Sequence, residues 1–393
     1  MNDILYIAWQ YLRYNWGKTA VLIASIALIL FLPLGLQTIV SQGSEMLTAR
    51  AESTPLLVGA RGSAADLTLS ALYFREPSVD PIRFGEVDSV EAGGLALAIP
   101  LHLRYQAGGR RIVGTSMEYF DFRGLTLAEG RRLALLGECL LGAEAARTLN
   151  ATIGDAVIST PAGAFDVAGS YPLKMRVAGI LAPAGTPDDE AIFVDIKTAW
   201  VIAGLAHGHE DVTAPTADTA RILQREAANV IANASVLSYN EITPDNIASF
   251  HFHGAPATFP VDAILTIPND FRSGVLLRGR MEAQTGSDVQ IVEPLKVVKE
   301  LLATVFSVRD LIVLGSLGVG LAALAIAILV FALSIRLRRR EIETIRKIGG
   351  PRRQVNAILG AEVVIVLGAA VLIALTLTLF VRQYGEALLR WIS

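Results

Sequence analysis

Cysteine is all but missing from these 393 residues: Cys139 stands alone. A single cysteine excludes an internal disulfide, so the fold must be held by its core. It sits in "GECLLG", where a small buried hydrophobe is expected. Charge is missing from three long runs. Thr19–Ser44, Leu311–Ile335 and Val363–Val381 contain no ionisable residue, and each is about as long as the ~20 residues a helix needs to cross a bilayer. The first run exceeds the ~7–15 apolar residues of a cleavable signal, and no small-x-small site follows it. It is predicted to stay as an anchor. Catalytic signatures are missing too. No G-x-x-x-x-G-K-[ST] occurs, which excludes ATP binding through a Walker A cradle, and neither G-x-S-x-G nor H-E-x-x-H is present.

What the chain has instead is apolar mass and sharply divided charge. It is 52% hydrophobic, with a mean hydropathy of +0.48, too apolar for an ordinary soluble protein. Between the second and third runs lies "RLRRREIETIRKIGGPRRQV", where eight basic residues face only Glu341 and Glu343. A short loop this basic is retained in the cytoplasm. The N-terminus, with Arg13 and Lys18, then lies inside, and everything from Glu45 to Asp310 is exported. That exported part holds 22 basic and 32 acidic residues, a charge of −10 opposite in sign to the loop. Glu362 sits at the head of the third span. The predicted fold class is a membrane protein, with an α-helical transmembrane part of three spans and a large α+β extracytoplasmic domain. Its boundaries are an amphipathic cytoplasmic-face helix (1–18), the spans 19–44, 311–335 and 357–381, the exported domain 45–310, a cytoplasmic coupling loop 336–356, and an exported tail 382–393. In the first segment Ile4, Ile7, Ala8, Tyr11 and Leu12 share a helical face, with Tyr6, Trp9, Tyr14 and Trp16 around them, which fits a helix lying on membrane lipid.

The exported region reads as mixed α/β. "GLALAIPLHLRYQ" and "RRIVGTS" are predicted strands joined by a turn at Gly108–Gly109. "GECLLGAEAARTL" runs from strand to helix, "IGDAVIST" and "KMRVAGILA" are strands, and "AIFVDIKTAWVIAG" is a strand followed by a helix. The Ala-rich "TADTARILQREAANVIA" is predicted helical. "VDAILTIP", "SGVLLRGRMEAQTG" and "DVQIVEP" give strand, helix and strand. A helix from Leu295 to Asp310 then leads directly into the second span.

Few residues point to chemistry. His207 and His209 form "HGH" and His251 and His253 form "HFH"; on strands each pair would face one way, as zinc or copper ligands do. Without a cysteine or ordered acid nearby, surface histidines are the simpler expectation, and no metal or other cofactor is expected. A membrane-anchored metalloenzyme built on these pairs is the weakest of three functional readings. "PDDE" at Pro187–Glu190 could hold calcium, but a solvated acidic turn is expected. Gly315, Gly318 and Gly320 in the second span offer a small-residue face for transmembrane packing. In the basic loop Ile342, Ile345 and Ile348 recur every third residue. An orientation signal needs only the charges, whereas an apolar stripe is what a protein docking surface requires.

"RRREIETIRKIGGPRRQV" resembles the cytoplasmic loop of FtsX-like permeases, the group that includes MacB-type and lipoprotein-release transporters. The exported segments "EYFDFRGLTLAEGRRLALLGECLLGAEAARTLNATIGDAVIS" and "MRVAGILAPAGTPDDEAIFVDIKTAW" resemble the MacB-type core in the order of "GR", "LG..A", "GD.V", "V.GIL" and "IFV". The resemblance implies the permease subunit of an ABC transporter in the inner membrane, not itself an enzyme, homodimeric, and docked to a separate ATPase. Arg339, Arg340, Glu341, Ile342, Ile345, Arg346, Ile348 and Gly349 would form the ATPase-coupling surface. It also implies mechanotransmission to the exported domain for export or extraction of a substrate, a periplasmic adaptor as a further partner, and no nucleic acid. The alternative of another class is a non-transporting transducer that activates an extracytoplasmic hydrolase. The family usually has four spans and this sequence offers three: either it is a three-span variant with an exported C-terminus, or the chain is shortened.

Overall fold

The computed structural model describes residues 2–160, 172–208, 222–225, 230–232, 240–283, 288–337, 343, 347 and 351–392. In chain order the elements are α1 (Asn2–Tyr14), α2 (Trp16–Glu52), β1 (Leu56–Ala60), α3 (Ala64–Tyr73), β2 (Ile82–Arg83), α4 (Gly85–Glu91), β3 (Ala96–Ala107), β4 (Arg110–Thr115), α5 (Glu118–Arg123), β5 (Leu127–Gly130), β6 (Glu138–Leu141), α6 (Ala143–Leu149), β7 (Ala156–Ile158) and β8 (Leu173–Leu181). There follow a 3-10 turn (Pro187–Glu190), β9 (Ile192–Asp195), α7 (Ile196–Ile202), β10 (Ala206–Gly208), β11 (Ile222–Arg225), β12 (Val230–Ala232), β13 (Asn240–Glu241) and β14 (Phe250–Phe252). The last are β15 (Pro260–Val261), β16 (Ala263–Pro268), α8 (Phe271–Glu282), β17 (Val289–Val292), α9 (Pro294–Leu337) and α10 (Arg352–Ile392). Two compact units result, Met1–Ala49 with Lys299–Ser393, and Arg50–Val298.

In the helical unit, α1 lays Ala8 and Leu12 against α10 and leaves Tyr6, Trp9 and Tyr14 exposed. Ile7, which the sequence reading sets on the same face as Ala8 and Leu12, is 48% exposed. Gln42 of α2 donates to the Arg382 carbonyl of α10 at 2.7 Å. Among the described residues α2 and α10 are long and apolar enough to cross a membrane, and α9 contains a shorter apolar stretch, Val313–Ala322. Leu28, Leu32, Leu314, Leu317, Leu372 and Leu379 are all more than half exposed. Apolar surface on that scale is unfavourable in water by about 25 cal/mol per Å².

The second unit is built on one mixed sheet, ordered β13-β8-β6-β9-β4-β3-β16-β1-β17. The β3–β4 hairpin turns at Gly108 and Gly109, whose φ of 54° and 77° admit the two-residue turn that matches strand twist. One core gathers Cys139, Leu141, Val177, Ile192 and Val194, and a second gathers Val58, Val90, Ala98, Ile264 and Leu277. Trp200 of α7, in the second core, donates its indole N–H to the Pro260 carbonyl at 2.9 Å. Cys139 is fully buried, and burial, with Glu138 beside it, pushes its thiol up to about 12.

One element differs from the sequence reading. Where "TADTARILQREAANVIA" predicts a helix, the described residues pair as a hairpin, Ile222–Arg225 against Val230–Ala232. Alanine favours a helix by only tenths of a kcal/mol per residue, so the β-branched Ile222, Val230 and Ile231 and their pairing override it.

Candidate functional site

The second unit begins at Arg50, in the last turn of α2. A basic residue beyond an apolar helix ordinarily reaches for water. This one is buried, with 6% of its side chain exposed against 2% for its partner, Asp188. Its Nη1 lies 2.6 Å from Asp188 Oδ2 and its Nη2 3.0 Å from Oδ1, the two-pronged geometry that suits a guanidinium and a carboxylate. Each carboxylate oxygen takes a second bond, Oδ1 from the Tyr119 hydroxyl at 2.6 Å and Oδ2 from Thr186 Oγ1 at 2.8 Å. Arg50 also donates from Nη2 to Tyr119 Oη at 3.0 Å and from Nε to the Leu72 carbonyl, and lies over the Phe74 ring.

Elements far apart in sequence deliver these groups. Asp188 rides on the 3-10 turn, which packs against Gly142: a Cβ there would stand 2.3 Å from the Asp188 carbonyl oxygen and 2.4 Å from that of Asp189. Only glycine allows that approach. Tyr119 comes from α5, inside an aromatic group with Phe120 and Phe193. From the same helix Arg123 donates to Ser53 Oγ at 3.0 Å and Thr54 Oγ1 at 2.9 Å, so a second guanidinium holds the residues that follow α2. Burial alone would raise the Asp188 carboxyl. The charge of Arg50 and the hydrogen bonds from Arg50, Tyr119 and Thr186 outweigh it and hold the group below the usual carboxylate range. Burial, with the Asp188 charge next, pushes the Tyr119 hydroxyl upward and keeps it a donor.

The two aspartates of the "PDDE" turn are therefore not solvated, while Glu190 is exposed, and among the described residues no group of three metal-ligating side chains is found. Asp188 is 1% exposed and Asp189 9%, and Asp189 accepts the backbone N–H groups of Ala184 and Gly185, both at 2.8 Å. The partner that buries Asp188 is 138 positions away, a distance no local pattern encodes. The readable signal was a lone arginine beyond an uncharged helix, with an acidic pair left unexplained elsewhere.

The second helix leaves this unit beside the first. β1 starts four residues after α2 ends, β17 ends two residues before α9 starts, and the two strands pair antiparallel with Leu57 opposite Val292. Both chain exits thus lie at one end of one ladder. The arrangement fixes helix ends to a sheet; its chemistry is attachment.

The residues singled out from sequence are dispersed. Arg339, Arg340, Glu341, Ile342, Ile345, Arg346, Ile348 and Gly349 lie outside the described residues. A Cβ on Gly320 would stand 3.5 Å from Ile29 Cγ2 of α2, whereas Gly315 and Gly318 face open space in the single chain. Among the described residues no three metal-ligating side chains surround one point.

The family described as MacB-like periplasmic core domain matches residues 19–232, more than half of the chain. No curated protein matches. Of solved structures, the periplasmic region of MacB from Actinobacillus actinomycetemcomitans is similar at 13% identity and a TM-score of 0.36, over 64% of this chain and 94% of that one. The extracellular domain of the noncanonic ABC-type transporter YknZ from Gram-positive bacteria is similar at 10% identity and a TM-score of 0.32, over 60% and 98%. On the strength of the domain match, this chain belongs to the MacB/FtsX-type ABC transporter permease family and carries its MacB-like periplasmic core domain.

Proposed function

We propose that this protein is the permease subunit of an ABC transporter, relaying ATP hydrolysis by a separate ATPase into movement of its exported domain, so as to export or extract a substrate. One observation carries the reading. The helices that precede β1 and follow β17 enter the same strand ladder, and the first is further locked by the buried Arg50–Asp188 pair. α2 has 37 residues and α9 has 44, about 55 and 66 Å at 1.5 Å per residue. The hydrocarbon core is only about 30 Å thick. Each helix is therefore longer than the hydrocarbon core is thick. In this reading α2, α9 and α10 are the three spans. The loop with Arg339, Arg340, Glu341, Ile342, Ile345, Arg346, Ile348 and Gly349 meets the ATPase on the cytoplasmic side, and Gly315 and Gly318 meet a second copy.

A Gly-Gly insertion after Ser307 tests the relay. It costs about 2 kcal/mol of helix propensity, too little to unfold the exported unit, and rotates the two parts of α9 by about 200°. A spin label at Phe271→Cys, a position 87% exposed, reports the distance between exported domains in the reconstituted complex, while buried Cys139 stays unlabelled. The insertion mutant should bind the ATPase normally and lose the ATP-dependent distance change. A wild-type distance change would overturn the relay.

A further inference from the structure

A cavity of about 290 Å³ lies beside β8 and shares no residue with the Arg50–Asp188 joint. Strand register builds its polar side. Ala156 of β7 and Glu138 of β6 both stand opposite Arg176 of β8, and Glu241 of β13 stands opposite Lys174. Opposed residues share a face of the sheet, as do residues two apart on one strand, so these side chains rise together. The other walls are apolar: Leu135 and Leu136 precede β6, and Ile242 and Ile247 follow β13. Ile242 can close the cavity because Gly137, at φ 86°, has no side chain; a Cβ there would stand 2.8 Å from Ile242 Cβ. The carboxylates are already matched. Glu138 Oε2 takes Arg131 Nη1 at 2.8 Å and the N–H groups of Ala134 and Leu135 at 3.1 Å. Glu241 takes Lys174 Nζ at 3.0 Å. Among the described residues lining the cavity, exposed Arg176 is the cation without a carboxylate.

We propose that this cavity binds the carboxyl-terminal residue of a peptide, with its carboxylate on Arg176 and an aliphatic side chain against Leu136, Ile242 and Ile247. A guanidinium offers a carboxylate two parallel N–H donors, a pairing that a neutral amide cannot return. The surplus positive charge selects an anion, and the apolar walls favour an aliphatic side chain, whose burial removes apolar surface from water. The volume is near the lower end of the roughly 300–1,000 Å³ of small-molecule pockets, room for a terminal residue and the start of the next but not for a long acyl chain. The lining also distinguishes a peptide from a fatty acid. Lys174 and Glu241, both partly exposed, form part of it. An acyl chain packed on that ion pair would desolvate it, whereas peptide amides hydrogen-bond to it. No lining residue comes from α2 or α9, so the site stands whether or not those helices relay movement.

The test uses the full chain in lipid nanodiscs and a short fluorescein-labelled peptide that ends in leucine with a free carboxylate, read by fluorescence anisotropy. The expected result is saturable binding of one peptide per chain, absent from empty nanodiscs. Amidating the terminal carboxylate should weaken it roughly tenfold or more, the loss of a charge-assisted pair. Arg176→Gln should weaken the acid to the level of the amide and leave the amide unchanged, and Arg176→Lys should restore part of the difference. Because Arg176 is exposed, the melting temperature of both variants should match the wild type, so misfolding cannot imitate the loss. Ile247→Ser should weaken acid and amide alike. Equal binding of acid and amide, an acid–amide difference that survives Arg176→Gln, or binding no greater than that of empty nanodiscs would each overturn the site. Displacement of the peptide by equimolar octanoate or free leucine would overturn its assignment to a peptide terminus.

Discussion

Replacing Arg50 by methionine is the sharpest probe of the joint at the base of the exported unit. The substitution keeps the length and apolar stem of the side chain and removes its charge. Asp188 then keeps the Tyr119 and Thr186 bonds, loses two charge-assisted bonds from the guanidinium, and remains a buried anion without a counter-charge. Breaking such a pair from one side costs about 3–5 kcal/mol. Removing the charge from both sides, Arg50→Met with Asp188→Leu, should recover most of that loss, because an apolar pair needs no counter-charge. Tyr119→Phe deletes a neutral donor and should cost only about 1 kcal/mol. Urea unfolding of the solubilised chain reads these values through Trp200, which is 2% exposed, with Trp9, Trp16 and Trp391 changed to phenylalanine. The pH dependence has a definite sign. A carboxyl depressed in the folded state contributes stability that is complete above its unfolded pKa of about 4 and lost as pH falls towards the folded value. In Arg50→Met, burial without the counter-charge raises the Asp188 carboxyl, so the gap between wild type and variant should be largest at pH 8 and narrow as pH falls. A cost under about 1 kcal/mol at neutral pH, the range of an exposed pair, would refute the reasoning, as would a gap that widens as pH falls.

Two further outcomes are expected. Gly142→Ala places a methyl group into the Asp188 and Asp189 carbonyls and should lower stability by about 1–3 kcal/mol through strain, without changing the charge of the joint; an unchanged unfolding midpoint would show that the 3-10 turn is not pinned there. Ile345→Asp should abolish co-purification of the ATPase while membrane insertion persists, since a charge desolvated at a docking surface costs several kcal/mol; an intact complex would remove that residue from the interface.

Much of this protein is legible in its sequence because its signals are local. Three uncharged runs are bounded by charge, Gly108–Gly109 marks a turn, and the apolar run "ALAIPLHLRYQA" that leads into it is β3. The continuity of Leu295–Asp310 into the next apolar run is likewise a property of one unbroken segment, and α9 keeps it. The family resemblance also rests on short motifs in order, and the domain match agrees with it. Tertiary structure decided what depended on partners. Asp188 looks solvated until Arg50 arrives from 138 positions away, because burying a carboxylate is unfavourable alone and tolerable only beside a fixed counter-charge. Gly142 looks like an ordinary strand-end glycine until the turn that it admits is known. His207 and His251 are two unrelated surface histidines in sequence and opposed residues in the ribbon, because strand register is set by which chain segments meet, not by either segment alone.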